Sequence, residues 1–125
     1  MNLAVRSDIL KLQDMMLDLP QVDLHVEHHF ADGCYARELH IPKGVALVGA
    51  IHKTNHHWVL SKGHVIVSGG EGEQEYVAPY HGQTQPGEKR AFYAVEDSVW
   101  TTFHPTTLTD INEIEKEILI LEGGL

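Results

Sequence analysis

The sequence contains little cysteine, little positive charge and no long apolar run. Its one cysteine, Cys34, cannot form a disulfide within the chain, so we expect a reducing, cytoplasmic location. Lys and Arg number 9 against 18 acidic residues, and the net charge of −9 argues against a nucleic-acid partner. No apolar run approaches the roughly 20 residues of a membrane span, and residues 1–7 lack a signal-peptide pattern, so we expect no membrane partner.

Histidine, in contrast, is abundant. The chain has 10 His among 125 residues, spread along its length rather than gathered at one end. Hydrophobic residues make up 42% and charged residues 22%, as in an ordinary globular protein, and the length suits one domain with one modest core. The sequence therefore predicts a globular protein in which histidine carries the chemistry.

Apolar residues recur at helical spacing at both ends of the chain. The segment 1–20 predicts a helix capped by Ser7 and stopped by Pro20, and its stripe consists of Ile9, Leu12, Met16 and Leu19. The segment 108–125 predicts an acidic helix that begins with a capping box of Asp110 and Glu113. Its stripe consists of Ile111, Ile114, Ile118 and Leu121. Both stripes need a covering surface.

The middle of the chain, 21–107, alternates between apolar and polar residues and is divided by Gly and Pro turns. About eight short strands at this spacing predict an antiparallel sandwich or barrel. One strand is expected over 45–52, with Ala46, Val48, Ala50 and His52 on one face. A loop is expected over 81–87 and a hairpin over 91–104.

Two histidines flank one of the predicted turns. His52 and His56 are separated by a short polar connection, 53–55, so their imidazoles can converge on one point. Converging imidazoles can bind Zn, Ni or Fe. Because side chains alternate along a strand, His56 and His57 cannot both face inward, and the pattern alone leaves that choice open.

Several of these segments resemble the two halves of a cupin barrel, an RmlC-like jelly roll. The first half is suggested by Pro42-Lys-Gly44 and the run from Leu60 to Val67, and the second by 86–90 and 94–100. The whole chain is similar to small cupin-type proteins encoded by phages and prophages, whose role is not settled. The resemblance implies one antiparallel barrel over 21–107, a homodimer and the cytoplasm of a host cell.

The departures from the cupin pattern affect the expected ligands. The resemblance puts Ala50 and His52 where the first motif has its two His, and His56 where that motif has Glu. That spacing favours His56 over His57 as the inward residue. Arg90 stands where the second motif has its His. In a jelly roll the last strand lies beside the strand that starts at His56, so His104 is the expected third ligand.

We therefore expect a divalent metal held by His52, His56 and His104, with Arg90, Tyr93 and His29 binding a small polar or anionic molecule. The pattern indicates no organic cofactor, and it identifies no catalytic acid or base. Simpler interpretations exist: an inward His is commonly a hydrogen-bonded core residue, and His104 could merely end its strand before Pro105. Because one fold serves many functions, the alternative is a non-enzymatic interaction module that uses the barrel as a scaffold.

Overall fold

The computed structural model of the protein describes residues 3–19, 21–69 and 72–120. Its helices are α1 (Leu3–Leu17) and α2 (Ile111–Ile118). The strands before the chain midpoint are β1 (His25–Ala31), β2 (Cys34–Ile41), β3 (Ala46–Val48), β4 (Ile51–His52) and β5 (His56–Lys62). The later strands are β6 (His64–Gly69), β7 (Gly72–Val77), β8 (Tyr80–Thr84), β9 (Ala91–Ala94), β10 (Ser98–Pro105) and β11 (Leu119–Ile120).

The strands form an antiparallel jelly roll, as predicted. One sheet has five strands in the order β1-β2-β10-β5-β8, and another has four in the order β3-β9-β6-β7. A short pair, β11 with β4, adjoins them. The β10–β5 pairing confirms the expectation that the last long strand lies beside the strand that starts at His56.

The main core lies between the two larger sheets. It is built by period-two alternation, which sends every second side chain of each strand inward. Its buried members are Leu39, Ile41, Trp58, Leu60, Val65, Val67, Ala94 and Trp100. The indole rings of Trp58 and Trp100 are stacked with their centroids 4.0 Å apart, so the two tryptophans of the chain are in direct contact.

The structure corrects three of the predicted strand assignments. The hairpin expected over 91–104 does not form, because β9 pairs with β3 and β6 whereas β10 pairs with β2 and β5. The strand expected over 45–52 is divided into β3 and β4 at residues 49–50, although the Gly49 N–H still donates to the Arg90 carbonyl (2.9 Å) in the register of the β3–β9 pairing. Ala46 and Ala50 are exposed, whereas Val48 and His52, on the same predicted face, are half-buried. The loop expected over 81–87 instead contributes β8, which pairs with β5 along the sheet edge.

Both helices also differ from their predicted bounds. The helix α1 already includes Leu3, so Ser7 lies inside it and is not its cap, while Pro20 lies outside the described residues. Ile9 is buried, and α1 lies against β3 and β6, but Leu12 and Leu19 are exposed. The homodimer that would cover them stays a prediction. Within the described residues, neither helix is long and apolar enough to cross a membrane.

The helix α2 is shorter than predicted because the chain leaves it to form β11. Its cap is the predicted one: the Asp110 carboxylate accepts a hydrogen bond from the Glu113 N–H (3.0 Å). Ile114 and Ile118 pack on Tyr35 in a second, smaller core. Leu121, the last member of the predicted stripe, lies outside the described residues.

Gly63, in the turn between β5 and β6, lies close to the backbone of Asp97 and Ser98, and substitutions there test how tightly these segments pack. Its φ of +95° favours glycine, and a Cβ there would lie 2.4 Å from the Asp97 carbonyl oxygen. Gly33 has a similar φ of +75° but open space around it. We expect Gly33→Ala to lower the free energy of unfolding by about 1–2 kcal/mol, the cost of the backbone conformation, and Gly63→Ala to lower it more. Urea denaturation compares them, and equal losses would contradict the packing.

Candidate metal centre

The strands β4 and β5 with the turn between them carry two histidines to the same side of the barrel. This turn, 53–55, is held from outside by the end of α2. The Lys53 N–H donates to the Ile118 carbonyl (2.7 Å), and the Lys53 ammonium donates to the Lys116 carbonyl (2.9 Å). These bonds satisfy carbonyls at the helix C-terminus, where a positive charge is also favourable. The strands β4 and β5 pair with β11 and β10 rather than with each other, so the predicted hairpin is not formed and the helix fixes the turn between the two histidines.

His56, not His57, faces the interior, as its position in the cupin motif favoured. His56 is 6% exposed and begins an alternation that continues inward through Trp58 and Leu60. His57 points to solvent from the opposite face of the same strand. The choice that the pattern alone left open is therefore decided by the register of β5.

His104 reaches the same point from β10. The register pairs Thr102 with Trp58 and Phe103 with His57, so the next residue, His104, is level with His56. Trp100, Thr102 and His104 are all buried, and His104 is only 1% exposed. Its neighbour on the other side is Tyr35 of β2.

The three imidazoles form one compact cluster. Their ring centroids are 4.3 Å apart for His52 and His56, 4.8 Å for His56 and His104, and 5.2 Å for His52 and His104. One nitrogen from each ring can be chosen so that all three lie within 4.8 Å of one another. The rings can therefore approach one common ligand.

Hydrogen bonds within the protein do not use all of these nitrogens. The Thr102 hydroxyl is hydrogen-bonded to Nε2 of His104 (2.9 Å), but Nδ1 of His104 and Nδ1 of His56 are buried without a protein partner. A buried polar atom without a partner costs about 1–3 kcal/mol. The simpler interpretation, a set of hydrogen-bonded core histidines, leaves these two nitrogens unexplained.

The environment keeps the three rings neutral. Burial is the main cause that lowers the pKa of His52, His56 and His104 from 6.5 to about 4. The neighbouring imidazoles and the Arg37 guanidinium lower the pKa of His52 and His104 further. A neutral imidazole is the form that binds a metal. Three neutral histidines are also a common donor set for a divalent transition metal, so these residues fit the predicted ion.

A cavity of about 470 Å³ opens beside the cluster. That volume is in the range of small-molecule sites. The walls come from both large sheets and from α2, and they include four charged residues that the sequence patterns had not identified: Asp23, Arg37, Glu88 and Glu115. These residues could not be identified from the sequence, because they reach the cavity only when the strands and α2 are folded together. The sequence had identified no catalytic acid or base, and these carboxylates are the candidates that the structure adds.

Arg90 also lines the cavity, as expected, but it is held by contacts that the sequence did not suggest. Its guanidinium carbon lies 5.7–5.9 Å from the ring centroids of Trp58, Phe92 and Trp100. Its Nη1 donates to the hydroxyl of Thr84 (2.6 Å). Cation–π contacts of this kind stabilise and orient a guanidinium. The arrangement presents a fixed positive charge inside the barrel.

Two of the residues predicted to bind a ligand lie elsewhere. Tyr93 is 45% exposed because alternation on β9 turns Phe92 toward the cavity and Tyr93 away from it. His29 lies on the outward face of β1, with its Nε2 3.3 Å from Oε1 of Glu38. Hydrogen bonds with Glu27, His40 and His29 lower the pKa of Glu38 to about 2. Neither Tyr93 nor His29 lines the barrel cavity.

The lowered pKa values predict a pH-dependent stability of the metal-free protein. Between pH 6.5 and about 4, unfolded chains bind protons that the folded cluster does not, so the free energy of unfolding should fall as the pH falls. Each such histidine contributes about 1.4 kcal/mol per pH unit in that window. Urea denaturation at several pH values measures how steeply the free energy of unfolding depends on pH. This dependence should be weaker in His56→Gln/His104→Gln than in His57→Gln. Equal slopes would contradict the assignment.

Comparisons with known proteins support the fold. No protein-family model and no curated protein sequence matches the chain. A cupin superfamily protein from Desulfitobacterium hafniense is similar, with a TM-score of 0.56, 8% identity, and coverage of 74% of this chain and 83% of that one. An RmlC-like cupin family protein with a double-stranded β-helix fold from Methanocaldococcus jannaschii is similar with a TM-score of 0.57 and 10% identity. The match covers 68% of this chain and 82% of that one. An acetylacetone dioxygenase from Acinetobacter johnsonii is similar with a TM-score of 0.57 and 18% identity. The match covers 75% of this chain and 72% of that one. The chain therefore has a cupin-type jelly-roll fold.

Proposed function

We propose that the protein binds a divalent transition metal through His52, His56 and His104, and that its barrel also accepts a small anionic molecule. The observation that carries the proposal is the convergence of three imidazoles, of which His52 is half-buried and His56 and His104 are buried, each of these two with a nitrogen without a protein partner. Zn, Ni and Fe are all compatible with three imidazole ligands. A bound metal would polarise an oxygen atom of the ligand or of water.

Two guanidinium groups at the wall of the cavity can bind an anionic partner molecule. Arg37 and Arg90 both line it, and the chain supplies the three histidines as neutral rings, so a bound metal would add further positive charge. An Arg guanidinium can hold a carboxylate or phosphate with two hydrogen bonds. Asp23, Glu88 and Glu115 also line the cavity and are the carboxylates available for proton transfer.

Binding without catalysis is the second candidate, and one observation favours it. The helix α2 contributes Ile111, Ile114 and Ile118 to the wall of the cavity, so access to the histidines is narrowed by an apolar surface. Similar solved structures include an enzyme, the acetylacetone dioxygenase, and also an HTH_3 family transcriptional regulator from Vibrio cholerae. The metal and the anion are proposed for either case. The phage origin, the homodimer and the host cytoplasm stay predictions.

Removal of the metal provides the main test. A bound ion stabilises the folded state by about 2.7 kcal/mol when free metal is one hundred times the dissociation constant. Chelation of untagged protein should therefore lower its melting temperature, and added Zn²⁺ or Ni²⁺ should restore it. His52→Ala, His56→Ala and His104→Ala should each reduce the metal-dependent part of the shift.

His57→Ala is the matched control, because it removes an imidazole from the same strand as His56 but from the opposite face. It should leave the response to metal unchanged. Loss of the response in His57→Ala with retention in His56→Ala would show that the wrong histidine has been assigned. A protein that carries no metal and does not respond to added metal would refute the metal proposal.

Arg90 should dominate the binding of an anion. Malonate, a small dicarboxylate, is a suitable probe, and the fluorescence of Trp58 and Trp100 reports on binding because both rings surround the guanidinium. Hydrogen bonds to charged groups contribute about 1.5–3 kcal/mol, so Arg90→Ala should raise the dissociation constant roughly 10- to 150-fold. Arg90→Lys keeps the charge without the paired N–H groups and should lie between. Unchanged affinity in Arg90→Ala would locate the anion elsewhere.

A further inference from the structure

The outer face of the β1–β2 ribbon carries a second concentration of metal-ligating side chains. We propose that His25, Glu27 and His40, with Glu38 beside them, bind a divalent transition metal such as Zn²⁺, independently of the barrel cluster. These residues are called the ribbon site below. His25, Glu27 and His40 offer ligand atoms that all lie within 4.8 Å of one another.

The strand register creates this arrangement. His25 pairs directly with His40, and Glu27 pairs with Glu38, so two successive cross-strand pairs present their side chains on one face. Alternation puts the barrel-facing residues Leu39 and Ile41 on the opposite face of β2. The ribbon site is therefore separated from the barrel cluster by the sheet itself.

The side chains are already in contact. Nε2 of His40 is 2.6 Å from Oε2 of Glu38 and 3.6 Å from Oε2 of Glu27. Nε2 of His25 is 3.8 Å from Oε1 of Glu27, and the imidazoles of His25 and His40 meet edge to face with centroids 4.9 Å apart. A single ion between them would need small side-chain rotations and no movement of the paired backbone.

The donor set suits zinc in particular. Two imidazoles and a carboxylate form a familiar three-ligand set for Zn²⁺, and a second carboxylate or water completes four-coordination. Softer thiolate ligands are absent from the cluster, and the two nitrogen donors disfavour Mg²⁺ and Ca²⁺, which prefer oxygen. Glu38 has a further neighbour in His29, whose Nε2 is 3.3 Å from the other carboxylate oxygen and helps to orient it.

The paired strands make the ribbon site more than a chance surface grouping. β2 is paired on both sides, with β1 and with β10, so the backbone beneath Glu38 and His40 is held in place. Two of the four side chains, Glu38 and His40, are half-buried rather than freely exposed. Ligands on rigid strands lose little freedom when they bind an ion, which favours affinity.

Zinc stoichiometry provides the test, with untagged, metal-free protein titrated with Zn²⁺ at pH 7.5 by calorimetry and native mass spectrometry. Wild-type protein should bind two ions. His25→Asn/His40→Asn should bind one ion. Glu27→Gln should lower the affinity of the ribbon site for zinc by at least about tenfold. His57→Asn/His81→Asn, which removes two exposed histidines from the same large sheet, is the matched control and should still bind two.

The barrel variant His52→Asn/His104→Asn separates this proposal from the proposed function. It should keep one ion, and that ion should be lost when His25→Asn/His40→Asn is added. A wild type that binds one ion, lost only in the ribbon variant, would support the ribbon site and refute the barrel site. A ribbon variant that binds zinc with the same stoichiometry and affinity as the control would overturn the ribbon site, and its circular dichroism would verify that it is folded.

Discussion

The antiparallel pairing of β10 with β5 is the constraint on which the candidate metal centre depends. It aligns Thr102 with Trp58, and one step further along it brings His104 level with His56. A slip of one residue in this register would turn His104 to solvent and Phe103 inward. The stacked rings of Trp58 and Trp100 oppose such a slip, because they fill the core only when both strands keep their alignment. The packing of the core and the geometry of the site thus have the same cause.

The C-terminal helix adds a second constraint. Ile114 and Ile118 are buried on Tyr35, which also neighbours His104, and Lys53 bonds to the carbonyls at the end of the helix. The turn that separates His52 from His56 is therefore fixed by a segment more than fifty residues away. Burial by these elements favours neutral imidazoles, and neutral imidazoles are the state that a metal requires. A site built in this way is organised before any ligand arrives.

Much of this arrangement could be predicted from the sequence because it depends on local periodicity. Alternation restricted the inward residue to either His56 or His57, and the cupin resemblance favoured His56 and brought His104 beside it. The features that were missed are non-local. The division of the expected strand depends on the different partners of its two parts, because β3 pairs with β9 and β4 pairs with β11. Glu115 likewise reaches the cavity only through the docking of α2.

Two further misassignments have the same physical origin. Tyr93 was expected inside the barrel because it follows Arg90 closely, but on β9 the alternation sends Phe92 to the cavity and Tyr93 outward. His29 was expected at the mouth of the barrel from its position near a strand end. It lies instead on the outer face with Glu38, a neighbour supplied by the paired strand. Faces of single strands can be predicted, whereas neighbours across strands require the register.

Anomalous diffraction at the zinc edge, from crystals of untagged protein grown with stoichiometric zinc, tests the central claim most directly. The account predicts a peak inside the barrel at about 2.0–2.1 Å from one nitrogen each of His52, His56 and His104. A barrel without a peak, in crystals whose fold matches the one described, would contradict it.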